Sequence, residues 1–183
     1  MQTLKEEIRQ RILDAARDEF YDKGYEGSSI RTIAAKADIA PGNIYRYFPS
    51  KEELLNAILE PCFAAFRNRF KAKEDIPLST VGPQELSEYL LHVLERYPKE
   101  IQLIIDNPSV DRFRDFFIEH IRLRMIRDMH SEEILAKVLA RNLVESVYAI
   151  LDECHGDKVL TQRLLMKLFS FAFVDTERTG LYE

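Results

Sequence analysis

Apolar residues recur three and four positions apart along nearly the whole chain, and no stretch alternates as a half-buried strand would. That one regularity leaves room only for helices, so the expected fold class is all-α. Ile8, Ile12, Ala15, Ala16 and Phe20 mark one face of a first helix that should stop at Gly24. Ser28 and Ser29 are suited to cap a short second helix whose inner face is Ile30, Ile33, Ala34 and Ala37. Asp38 makes a tight turn, and Pro41 suits the first position of a third helix running to about Tyr47. Ser50 and Glu53 form a capping box that opens a fourth helix through Leu54, Leu55, Ile58 and Phe66. Further helical patterns lie near 84–97, 99–106, 110–129, 131–155 and 157–174, separated by Pro98, Pro108, His130 and Gly156. Residues 74–83, "EDIPLSTVGP", lack periodicity and hold two prolines and a glycine, which makes them the expected boundary. The expected organisation is a head over 1–50, a connecting helix over 51–73 and a body over 74–183.

With 183 residues, 46% apolar and 31% charged, the chain has an ordinary globular composition, sufficient for one well-buried domain or two small ones. No apolar run reaches the roughly 20 residues of a membrane span, and no secretory core opens the chain, so a cytoplasmic location with no membrane partner is expected. Cys62 and Cys154 lie far apart with no CxxC spacing and read as buried, reduced thiols. The net charge is −5, but it is unevenly spread: residues 1–73 hold 13 basic and 11 acidic side chains, residues 74–183 hold 13 and 20. Only the N-terminal part is therefore suited to approach a polyanion, and its charge permits that contact without requiring it.

Residues 28–47 form two short helices joined by "KADIAPG", a helix-turn-helix arrangement. The major groove of a DNA duplex, about 12 Å wide, admits one helix and displays a readable pattern of donors and acceptors. A helix entering it must project polar groups from its early residues and be braced from behind. Ile44 and Phe48 supply the brace; Asn43, Arg46 and Tyr47 lie around the other side. The order and spacing of Ile12, Leu13, Ala15, Ala16, Phe20, Gly24, Tyr25, Ile33, Ala34, Ala37, Ile39, Gly42, Ile44, Tyr45, Tyr47, Phe48, Ser50, Lys51, Glu52, Leu54 and Leu55 resemble the N-terminal signature of the TetR/AcrR family of transcriptional regulators. The resemblance covers roughly residues 8–58. Two positions depart from it: Asp38 stands where the family usually has Gly, and Ala40 where Ser or Thr often caps the third helix.

The resemblance implies a repressor that a small molecule releases from a palindromic operator in double-stranded DNA. Arg31 then matches a position that reaches base edges, and Asn43, with Gly42 and Arg46, the base-facing part of the recognition helix. Tyr45, Tyr47 and Lys51 match phosphate-holding positions, and Ser29 and Pro41 complete the implied DNA-facing set. Read as residues alone, Tyr45 also fits core packing, Lys51 a solvated first turn and Arg46 a surface ion pair. Mid-helix Asn43 has little structural reason to be where it is.

The body matches no motif. Phe113, Phe116, Phe117 and His120 share a helical face that Arg124 continues, which fits either a ligand pocket with a polar end or plain core. Tyr89 and His92 on the 84–97 pattern are open in the same way. Leu135, Val138, Leu139, Leu143, Val147, Ile150 and Leu151, with Leu164, Leu165, Leu168, Phe169, Phe171, Ala172 and Phe173, make the last two helices apolar around more than one face. A chain of this size cannot cover both faces, so a homodimer through residues 131–174 is expected, as the resemblance also implies. The rival readings are a metal-dependent helical enzyme and an adaptor that keeps the fold without binding DNA. Asp152, Cys154, His155 and Asp157 in "DECHGD" are the enzyme's one hook, against the simpler reading of a helix end stopped by Gly156. No HExxH, phosphate loop or nucleophile elbow is present, and no cofactor, metal or catalytic residue is called for.

Overall fold

The computed structural model describes residues 2–77, 80–107 and 111–172. Among them the fold is all-α, with α1 (Gln2–Gly27), α2 (Ile30–Lys36), α3 (Pro41–Ile44), α4 (Lys51–Ala72), α5 (Pro83–Arg96), α6 (Pro98–Asp106), α7 (Asp111–Met129), α8 (Glu133–Glu153) and α9 (Lys158–Ala172). Two expected ends move. α1 bends at Gly24 (φ 71°, ψ 162°), a backbone state open to glycine, and then continues to Gly27 instead of stopping. α3 closes at Ile44 and passes into a tighter turn over residues 45–47, where the Arg46 amide donates to Asn43 O at 3.2 Å and the Tyr47 amide to Ile44 O at 2.9 Å. Pro108, Val110 and Phe173 lie outside the described residues.

The chain gathers into two compact units. One holds the helices up to Asn68 together with α6; the other holds Arg69–Arg96 together with α7, α8 and α9. The sequence pattern assigns α6 to the 74–183 body. It groups instead with the N-terminal helices because Arg17 on α1 meets the nearly buried Glu100 carboxylate at 2.7 Å, while Lys99 meets Asp18 at 2.7 Å. In this first unit Ile12, Ala16 and Phe20 of α1, Ile33 and Ala34 of α2, Ile44 of α3 and Leu54, Ile58, Leu59 and Cys62 of α4 are all but sealed from solvent. The Lys36–Glu19 ion pair, 2.7 Å long, ties α2 to α1.

In the second unit Val93, Phe113, Ala136, Ala140 and Leu165 form the most deeply buried apolar set. His130 (φ 52°) breaks the chain between α7 and α8. The "DECHGD" run is the turn into α9: Cys154 is buried, His155 (φ 45°) and Gly156 (φ 85°) reverse the chain, and Asp157 Oδ1 accepts from the Leu160 amide at 3.0 Å. Among the described residues no group of three His, Cys, Asp or Glu side chains is placed to hold a metal ion. None of the described helices is long and apolar enough to cross a membrane. Both cysteines are free and buried. Burial, with Glu100 adding to it, pushes the Cys62 thiol up to about 12.

Candidate functional site

The helix-turn-helix is assembled from its caps inward. Ser29, extended at φ −133°, accepts the Thr32 amide on its Oγ at 3.1 Å and so starts α2. The end of α2 is a Schellman closure: the Ile39 amide donates to Ala34 O at 3.0 Å and the Asp38 amide to Ala35 O at 3.2 Å. That closure requires a left-handed residue, and Asp38 (φ 53°) occupies the place where glycine is usual. Arg11 of α1 compensates. Its guanidinium donates to the Ala37 carbonyl and, at 3.3 Å, to the Asp38 carbonyl, and stands 3.6 Å from the Asp38 carboxylate. Ala40 offers no side-chain cap to α3, so the Asn43 amide bonds the Ala40 carbonyl at 2.9 Å and Pro41 fills the first turn without needing a partner.

This framework sorts side chains by direction. Ile44 and Phe48 are buried, whereas Arg31, Pro41, Gly42, Asn43, Tyr45 and Arg46 are exposed and Tyr47 is half-buried. Tyr45 keeps 54% of its surface in water, which excludes it from the core. Gly42 has nothing within 4 Å of where a Cβ would stand. Lys51, from the first turn of α4, is already partly engaged: its ammonium donates to Ser28 O at 2.9 Å and lies 4.4 Å from the Tyr25 ring centre. The Tyr25 hydroxyl is held above its usual range by burial, then by Glu52 and Glu26. An ammonium carries three donors, so Lys51 retains capacity for a further acceptor.

The second unit holds a ring cluster. His120 stacks on Phe70 of α4 at 4.3 Å and 26°, and lies nearly parallel to Phe116 at 6.1 Å and 19°. Phe117 presents its edge to Phe70 at 5.8 Å and to Phe116 at 5.5 Å. Burial holds His120 below its usual range, with Arg124 adding to the effect. Its buried Nε2 meets no hydrogen-bonding atom among the described residues. Phe113 is fully buried, with the Arg112 guanidinium 5.2 Å from its ring centre. Tyr89 is half-buried beside Arg69 at 5.3 Å, and His92 is exposed. Arg124, 6% exposed, is engaged through all three of its guanidinium nitrogens: it donates to Asp128 at 3.1 Å, to Lys73 O at 3.1 Å and to Ile76 O. Arg127 joins it through Asp128 and through Glu74 O at 2.7 Å. The rings of Phe116, Phe117 and His120 thus come together, while Arg124 turns to the backbone after α4.

Sequence reasoning misses Arg11, Phe70 and Asp128. Phe70 carries a signal, since Phe63, Phe66 and Phe70 keep the spacing of one helix face; Arg11 carries none, because its partners are backbone carbonyls 26 and 27 residues away.

A capped helix-turn-helix head with an outward polar segment, carried on a chain that also builds a separate helical unit with a ring cluster, defines the class of helix-turn-helix proteins with a helical body. The family "bacterial regulatory proteins, tetR family" matches residues 12–58. HTH-type transcriptional regulator UidR of Escherichia coli is 41% identical over 71 residues, 37% of this chain and 36% of its own length. The negative transcriptional regulator IcaR of the icaADBC biofilm operon in Staphylococcus epidermidis is 27% identical over 128 residues, 69% of this chain and 68% of its own. The crystal structure of a TetR-like transcriptional regulator from Rhodococcus sp. RHA1 superposes with a TM-score of 0.67 at 26% identity, covering 94% of this chain and 96% of that one. Residues 12–58 are thus similar to the N-terminal domain of tetR-family regulatory proteins, and the chain shares the fold of a TetR-like transcriptional regulator. It spans little more than a third of the length of the curated relatives it matches first.

Proposed function

We propose that this protein is a homodimeric DNA-binding transcriptional repressor released from a roughly palindromic operator by a small molecule. The observation that carries the reading is the sorting of the recognition segment. Asn43, Tyr45 and Arg46 stand in solvent within one turn of Ile44, which is fully buried. A short helix anchored from behind and polar in front is what the major groove accepts. Asn43 and Arg31 have the donors and acceptors to pair with base edges, while Tyr45, Tyr47 and Lys51 serve phosphate. Ser29, Pro41 and Gly42 fix the approach of the two helices. IcaR, by its name a negative regulator, supports the repressing sense.

Dimerisation is supported by Ile134 (80% exposed), Leu135, Val138 (50%) and Leu139 on α8 and by Val159 and Phe171 on α9, all left in water by a single copy. A two-fold pairing of these faces removes them from solvent and presents two heads to a two-fold duplex. Ligand control is supported by the ring cluster around His120, with the buried Phe113 on the same helix and Tyr89 and His92 on α5. The test is selection of bound sequences from random duplex DNA, followed by titration of the winning duplex over a range of salt. A specific, palindromic consensus with nanomolar binding is expected; binding that shows no sequence preference at any salt overturns the proposal.

A further inference from the structure

We infer that Tyr25 is a positioning residue for the duplex contact: with the Ser28 carbonyl it aims the Lys51 ammonium at a backbone phosphate while leaving its charge unopposed. This rests on the DNA-binding reading above and names a residue that acts through Lys51, not on DNA itself.

Other lysines of the chain show the common way of fixing an ammonium. Lys36 sits on Glu19 at 2.7 Å, Lys73 on Glu85 at 3.1 Å, Lys99 on Asp18 at 2.7 Å and Lys158 on Glu95 at 2.9 Å. An opposing carboxylate cancels much of the field that a phosphate would meet. Lys51 is held as closely, but by neutral groups: Ser28 O accepts at 2.9 Å and the Tyr25 ring centre lies 4.4 Å away. Among the described residues no carboxylate pairs with it. Lys99 makes the nearest comparison, since it also faces a ring, Tyr21 at 5.2 Å, yet keeps Asp18 as its counter-ion.

Local backbone chemistry builds this neutral cradle. α1 bends at Gly24 (φ 71°, ψ 162°) immediately before Tyr25, and the Tyr25 ring packs on the fully buried Phe20 at 5.5 Å and 58°. Ser28, 7% exposed, folds back on Tyr25: its hydroxyl donates to Tyr25 O at 2.6 Å and its amide to the same carbonyl at 3.4 Å. Both partners of Lys51 are thereby tied into one unit. The Tyr25 hydroxyl is held above its usual range by burial, then by Glu52 and Glu26, so the ring carries no counter-charge at neutral pH.

An ammonium has three N–H groups. One goes to Ser28 O and one faces the ring, which leaves the third for a phosphate oxygen. A lysine fixed before the duplex arrives loses less side-chain freedom on binding. A carbonyl and a π-face achieve that fixing without neutralising the charge, which no carboxylate can do.

The experiment uses the full chain as wild type, Tyr25→Phe, Tyr25→Leu, Lys51→Ala and the double variant Tyr25→Leu with Lys51→Ala. Each is titrated with selected and scrambled duplexes over a range of salt, and NMR of the free protein follows the Lys51 Cε protons. Those protons should be moved upfield by the ring current in wild type and Tyr25→Phe, and should return to the ordinary lysine position in Tyr25→Leu. Tyr25→Leu should weaken both duplexes about three- to fivefold, at a salt slope within about 0.3 of wild type because the charge is kept. Tyr25→Phe, which keeps the ring, should stay within about twofold of wild type. With Lys51→Ala already in place, Tyr25→Leu should change binding by less than about twofold. Tyr25→Met serves if the leucine variant does not fold. An equal loss in both backgrounds, which a purely structural role would give, overturns the inference. So do ordinary Lys51 proton shifts in wild type, or wild-type binding by Tyr25→Leu. Binding that Asn43→Ala weakens and Lys51→Ala does not would leave the regulator reading intact and remove this inference alone; no binding to any duplex at any salt overturns both.

Discussion

Asp38 at the left-handed end of α2 permits a sharp test of how the reading head is held. A non-glycine residue in that conformation costs about 1–2 kcal/mol, somewhat less for Asp, and glycine returns about 0.5–1 kcal/mol of that through its freer unfolded chain. The Asp38 side chain is 99% exposed and its carboxylate stands 3.6 Å from Arg11, a pair that contributes next to nothing to stability. Asp38→Gly should therefore stabilise the protein by about 0.5–1 kcal/mol. Arg11 is different, because its partners are the Ala37 and Asp38 carbonyls, which the Schellman closure leaves over. Charged donors to carbonyls contribute about 1.5–3 kcal/mol when buried, and part exposure brings Arg11→Ala to a cost of about 1–2 kcal/mol. Since backbone carbonyls survive any change at Asp38, that cost should persist when Asp38→Gly is already in place, with a coupling below about 0.5 kcal/mol. Urea unfolding of wild type, the two single variants and the double variant, followed by circular dichroism, supplies the cycle. Destabilisation by Asp38→Gly, or a cost of Arg11→Ala that vanishes beside it, would mean the carboxylate and not the backbone is what Arg11 holds.

Lys51→Ala should weaken specific and scrambled duplexes alike and lower the salt slope by about one, while also costing about 1 kcal/mol in urea through the lost Ser28 and Tyr25 contacts. Asn43→Ala should instead cost about 1–3 kcal/mol on the selected duplex alone and leave stability near wild type; a uniform loss across sequences would reverse the two roles. Val138→Glu or Leu139→Glu should turn a dimer into monomer or aggregate in sedimentation velocity at micromolar concentration, and a wild type that already sediments as monomer would refute the interface. His120, held below its usual range, binds its proton more readily in the unfolded chain, so its share of stability should be full above the unfolded value near 6.5 and be lost as pH falls below it. Urea midpoints of His120→Gln should lose that part of the slope. Cys62 should resist maleimide at about pH 8 until the protein unfolds, because the thiolate is scarce and the sulfur sealed.

Local chemistry made the head legible. Ser29, Pro41, Ser50 and Glu53 act within three or four residues of their partners, so the pattern that predicts them is also the pattern that folds them. Buried Ile12, Phe20, Ile33 and Ile44 followed from helical spacing for the same reason. What stayed hidden depends on partners far along the chain. The attachment of α6 to α1 rests on Lys99 and Glu100 meeting Asp18 and Arg17, some eighty residues away along the chain, and no periodicity encodes it. The ring face of α7 was visible, but Phe70 on α4 and the destination of Arg124 were not. Asp128, four residues on, is the one partner of Arg124 with a complementary charge; the carbonyls of Lys73 and Ile76 leave none to find.

The same anonymity has a consequence for how this chain tolerates change. The segment after α4 is fastened to α7 by Arg124 and Arg127 through the carbonyls of Lys73, Glu74 and Ile76, and every residue type supplies the same carbonyl. In a deep mutational scan, position 74 should accept nearly any side chain, whereas Arg124 and its buried partner Asp128 should accept almost none. The burden of specification is thus asymmetric: one side of the contact is free to drift, and the other carries the whole of its sequence requirement.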